Sequence, residues 1–171
     1  MKIFLSFILV FAFFFSAFAK NPAPFGMELG KATIEDVNNK FGCTLVKRKE
    51  EWIMCFIRPQ DTGLDKAEKA VFYFDKKTKI LHKVVVVLSE SQFKKLYRML
   101  SAKYEIVDEH IPFVGDRYAK YKSGDVIIEI FDPHPGFEME LRYMTSLAQK
   151  RMEEKEKRKR IEETKKYLDL L

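Results

Sequence analysis

Apolar positions along this chain recur with two periods, and the change from one to the other marks out its elements. Ile34, Val37 and Phe41 fall on one helical stripe, and so do Phe93, Leu96, Tyr97 and Leu100. Thr33 is placed to cap the first helix with Asp36 three residues on, and Gly42 is placed to stop it. Ser89 and Gln92 repeat the capping pattern ahead of the second helix. Elsewhere the period is two. Strands are expected at 43–48 and 52–58 around a turn near Lys49, and at 70–74 and 80–88 around "DKKTK". Four more are expected at 104–111, 117–122, 125–131 and 137–144. "KSGD" reads as a hairpin turn and "DPHPG" as a proline-rich loop. "FGMEL" reads as a short strand, and residues 59–69 as an exposed loop.

The order is therefore helix and four strands, twice, with an offset of roughly 55 to 60 residues. The halves, 25–88 and 89–145, share no side-chain identity, so only the order points to a duplication. Strands in runs between helices predict an α+β fold in a single domain over 20–145, an antiparallel sheet with helices on one face. Residues 146–171 predict a long charged helix. Glu153–Lys157, Glu154–Arg158, Glu156–Arg160 and Glu162–Lys166 are spaced four apart in the favourable orientation. No apolar residue falls between Met152 and Ile161, so that middle is expected in solvent.

The first nineteen residues change the picture of the composition. Lys2, a run of apolar residues and Ala17-Phe18-Ala19 have the layout of a secretory signal peptide cut after Ala19. The apolar run is shorter than the ~20 residues that span a bilayer. Seven of the sixteen phenylalanines lie in this segment. Residues 20–171 carry 30 Lys+Arg against 25 Asp+Glu, and 150–166 hold nine of the basic residues against five Glu. The rest is close to neutral. The expected location is the periplasm or the exterior, with no stable membrane insertion after cleavage. An even cysteine count in an exported chain makes Cys43 and Cys55 a disulfide candidate, with buried free thiols as the rival reading. A hairpin register that opposes Leu45 with Ile53 and Val46 with Trp52 would bring the two cysteines together.

"GMELGKAT" has the look of a phosphate-binding loop but lacks its parts. Three residues rather than four separate Gly26 from Gly30, and Ala32 stands where the metal-binding hydroxyl belongs. Glycines for a turn and Thr33 for a cap explain the stretch. The wider phrase "FGMELGKATIEDVNNKFG" resembles the opening of small exported bacterial domains similar to the SmpA/OmlA outer-membrane assembly lipoproteins and to β-lactamase-inhibitor-like proteins. Phe25, Gly26, Leu29, Gly30, Val37, Phe41 and Gly42 carry the resemblance, over about eighteen residues. It implies an α+β, non-enzymatic envelope module that contacts another protein. The lipid-anchor cysteine of the assembly lipoproteins has no counterpart at the cleavage point.

Candidate chemistry is thin. His82, His110 and His134 are too widely spaced for a metal motif, and no metal or other cofactor is expected. A site assembled in space from Glu109, His110 and Asp132 is the alternative, and a small metal-dependent or hydrolytic enzyme would use His110, His134 and such nearby carboxylates. No G-x-S-x-G elbow occurs. The basic C-terminal run is diluted by glutamates and has no interleaved aromatics, so nucleic acid is not an expected partner. Ile161, Leu168 and Leu171, with Arg158 and Arg160, form a candidate contact for an envelope protein. The leading expectation is a binding module that uses a sheet face or edge with this helix as a second contact. A small apolar ligand held between sheet and helices is the third reading. Oligomeric state is open.

Overall fold

A computed structural model describes residues 21–49 and 51–168, so the expected signal peptide and Leu171 lie outside the described residues. The chain runs α1 (Ile34–Phe41), β1 (Leu45–Lys49), β2 (Trp52–Ile57), β3 (Ala67–Asp75), β4 (Leu81–Ser89), α2 (Phe93–Ser101), β5 (Glu105–His110), β6 (Arg117–Ser123), β7 (Val126–Asp132), β8 (Glu138–Thr145) and α3 (Ser146–Leu168). The fold is α+β. All eight strands form one antiparallel sheet in the order β1-β2-β3-β4-β8-β7-β6-β5. Each helix-plus-four-strand unit is an up-and-down meander, and the last strands of the two, β4 and β8, pair to make the sheet continuous.

Alternation along the strands sorts their side chains to two faces. Val37 of α1 and Phe93, Leu96 and Leu100 of α2 belong to the same buried cluster as Cys55, Phe72, Phe74, Val84, Val86, Tyr121, Ile128, Ile130 and Leu141. These two helices therefore cover one face, and that interface is filled by buried side chains. Val71, Val85 and Met144 are buried as well, yet they stand outside this cluster because they point to the opposite face.

The opening stretch is a clamp on the sheet. Gly30 donates to Leu81 O, and Leu81 donates back to Ala32 O, both at 2.8 Å. "FGMEL" is not a strand, contrary to expectation. Phe25, Gly26 and Gly30 have φ of 57°, 78° and 82°, which breaks any extended run. Lys31 is ion-paired with Glu28 at 2.9 Å. Thr33 and Asp36 form the expected reciprocal capping box, and Gly42 is the C-cap of α1. The second capping box does not form. Ser89 leads into a tight turn, its hydroxyl meets that of Ser91, and Glu90 N–H is anchored on Phe137 O instead. The loop expected over 59–69 is shorter, since β3 already starts at Ala67.

Cys43 and Cys55 are bridged, with Cα atoms 5.4 Å apart, but not by the expected route. The sheet pairs Leu45 with Phe56 and Lys49 with Trp52, a slip of three residues from the register expected from the sequence. Cys43 stays outside the ladder, between the end of α1 and β1. Thr44 sets the register, because its N–H and hydroxyl both donate to Phe56 O, at 2.8 and 3.0 Å. An odd slip turns every side chain of β1 to the other face. It places Leu45, Lys47 and Lys49 on the face that α1 and α2 leave uncovered.

Candidate functional site

Three rows of side chains cross this uncovered face. The central one runs Asp108, Lys120, Glu129, Arg142, Val85, Val71, Phe56, Leu45 from β5 to β1. On one side lies Lys122, Ile127, Met144, Lys83, Tyr73, Met54, Lys47, and on the other His110, Tyr118, Phe131, Glu140, Val87, Lys69. Trp52 and Asp75 pair at the end of β2 and β3.

The β5–β8 half of the central row is a charge ladder. Lys120 lies 3.3 Å from Asp108 and 4.0 Å from Glu129, and Arg142 lies 2.9 Å from Glu129 and 2.6 Å from Glu140. Partial burial opposes the Arg142 charge, but Glu140 and Glu129 outweigh it and raise its pKa. The β1–β4 half has apolar side chains in the same row. Two faces of an antiparallel sheet usually differ in polarity, yet "WIMCFI" of β2 is apolar throughout, so Trp52, Met54 and Phe56 stand half-buried where polar residues are the norm.

Cations rest on these rings. Lys47 and Lys69 approach Phe56 from either side, at 5.5 and 5.7 Å from its centroid, and Lys83 lies 5.2 Å from that of Tyr73. Lys120 over Tyr118 and Arg142 over Phe131 repeat the motif, at 4.9 and 5.0 Å. Lys83 is partly buried. Burial pushes its pKa down, reinforced by Arg142 and opposed by Glu140, Glu129 and Glu156.

Helix α3 reaches the Trp52 end of the face. Arg151 stacks 4.7 Å over Trp52, with Nη2 2.7 Å from Asp75 and Nε 3.1 Å from Glu51. One turn on, Lys155 helps to line a hollow of about 430 Å³ with Lys49, Trp52, Met54 and Tyr73. Beyond it the helix is solvated. Ile161 and Leu168 are 48% and 63% exposed, and Arg158 and Arg160 are exposed beside them.

The histidine candidates are scattered. His110 is on the uncovered face beside Tyr118, whereas Asp132 points to the helix-covered face, where Arg117 Nε donates to it at 2.7 Å. Glu109 accepts from Tyr97 OH at 2.9 Å. His134 lies in the β7–β8 loop, and its backbone N–H donates to Asp116 at 2.7 Å. Among the described residues, no group of three or more His, Cys, Asp and Glu is placed to hold a metal ion. No helix of the described residues is long and apolar enough to cross a membrane.

Sequence reasoning missed the aromatic–cation face, although the unbroken apolar run of β2 was its signal. It also missed the loop tips, where Phe113 and Phe137 are almost wholly exposed at the far end of the sheet. No protein-family model matches the chain, and no curated protein and no solved structure matches it.

Proposed function

We propose that the chain is an exported, non-enzymatic binding module that engages a protein partner through the uncovered face of its sheet, with α3 as a second contact. One observation carries this reading. Half-buried Trp52, Met54, Phe56 and Tyr73 line a face that α1 and α2 leave open, and lysines border them. Aromatic and methionine side chains are enriched at protein-binding surfaces, where a few such anchors supply most of the affinity. The Cys43–Cys55 bridge fits export to an oxidising compartment. The resemblance of the opening phrase to envelope modules points the same way.

The test is affinity capture from a native envelope extract, with residues 20–171 as bait beside the Phe56→Glu variant. The reading expects one stoichiometric partner that the variant loses while keeping its fold by circular dichroism. Equal capture by both baits removes the face from the interaction. A further bait, Ile161→Glu with Leu168→Glu, asks whether α3 contributes, and a weakened complex is the expected result.

A further inference from the structure

The two halves of the uncovered face treat their cations differently. On β5–β8 the central cations are neutralised within the fold, Lys120 by Asp108 and Glu129, Arg142 by Glu129 and Glu140. On β1–β4, Lys47, Lys49, Lys69 and Lys83 have no carboxylate within 4 Å among the described residues. Of the two carboxylates on these strands, Asp75 is occupied by Arg151 and Glu68 is exposed beside Lys69 without an ion pair within 4 Å among the described residues. Three of these ammonium groups lie over rings instead, those of Lys47 and Lys69 on Phe56 and that of Lys83 on Tyr73. Beside them the hollow under Lys155 has walls of Trp52, Met54 and Tyr73, and Lys49 and Lys155 as its charged members.

We infer that the β1–β4 half of this face receives an acidic segment of the partner protein, its carboxylates meeting Lys47, Lys69 and Lys83 and an apolar side chain entering the hollow. This rests on the reading of the face as a binding surface. Chemistry supports the choice of occupant. A lysine held over a ring keeps its N–H donors available, and a carboxylate supplies the charge-assisted acceptors that the fold withholds. Lys83 is partly buried, so an arriving carboxylate meets a cation that has lost part of its water. The hollow adds apolar contact between the charges, so anionic charge alone does not satisfy the site. A nucleic-acid strand also pairs cations with stacked bases, but its continuous phosphates would run onto Glu140 toward β8 or Glu51 at the Trp52 end. A protein segment can place its carboxylates where the lysines are.

A random-peptide display library panned on immobilised mature chain tests this, with oligodeoxythymidylate as a competitor. The expected selection is rich in Asp and Glu with an interspersed apolar or aromatic residue, and binding weakens with added salt. Binding of a selected peptide should fall about tenfold or more in Lys69→Gln and in Lys83→Met, and stay within about twofold in Lys122→Gln on the other half. Lys69 is exposed, so its variant keeps the test valid if Lys83→Met fails to fold. Neutral or basic selections, an empty selection, or lysine variants that bind unchanged overturn the inference. If Phe56→Glu still abolishes capture of the native partner in that case, the binding face stands and only its acidic occupant falls. Displacement of the peptide by oligodeoxythymidylate at lower concentration than by free peptide assigns the face to nucleic acid instead.

Discussion

Arg151, one turn into α3, and Asp75, the last residue of β3, meet at 2.7 Å across 76 positions of sequence. The contact ties the C-terminal helix to the face that α1 and α2 leave uncovered. Trp52 lies under the same guanidinium, and Glu51 takes its Nε. Asp75 is 4% exposed, and its other oxygen accepts from the backbone N–H groups of Lys77 and Thr78. The pair therefore works from both sides, closing the β3–β4 turn and holding the helix.

Arg151→Met should keep the stem packed on Trp52 while leaving Asp75 without its cation. Breaking a buried pair typically costs about 3–5 kcal/mol. Arg151 Nη1 is itself buried without an acceptor, which lowers what the native pair contributes, so the low end of that range is expected. Urea denaturation of the two proteins checks it. An unchanged midpoint would show that α3 is not held here.

Acid should erase the Asp75 contribution. Burial pushes its carboxyl up, but hydrogen bonds from the Thr78 backbone, Arg151 and the Thr78 hydroxyl outweigh this and hold it well below the usual carboxylate range. A depressed carboxyl adds stability that is fully present above its unfolded pKa, about 3.9, and is lost as pH falls toward the folded value. The stability gap between wild type and Asp75→Asn should be constant near neutrality and narrow below about pH 4. A gap that widened in acid would contradict this assignment.

The Cys43–Cys55 bridge closes a loop with a separation of twelve residues, anchoring the end of α1 on β2. Loop closure of this length is worth about 3 kcal/mol. Cys43→Ser with Cys55→Ser should lower stability by that order, and a reducing agent should shift the wild-type melting temperature but not that of the variant. Equal responses to reductant in the two proteins would show that the bridge does not form.

The helices and the order of elements along the chain were legible because the signals were local. The Thr33–Asp36 cap, Gly42 and the β-branched run "VIIEI" each name their own structure from a few neighbours. The meeting of β4 with β8 was not, since sequence separation says nothing about which edges of two meanders join. The β1 register shows the same limit. Opposing the two cysteines looked sufficient, but Thr44 bonding to Phe56 O and the pairing of Lys49 with Trp52 fixed a different register. That slip carried Lys47 and Lys49 onto the face opposite α1 and α2, which is why its composition could not be read from spacing. Asp132 and His110 illustrate it once more. Both belong to neighbouring ends of strands, and pleat parity sends them to opposite sides of the sheet.

The chain contains one tryptophan, and it lies on the face in question. Emission from Trp52 recorded during titration with the captured partner therefore reports on the central claim directly. Binding through the uncovered face predicts a spectral shift that saturates with complex formation measured by size-exclusion chromatography. Complex formation with unchanged Trp52 emission would place the partner elsewhere on the molecule.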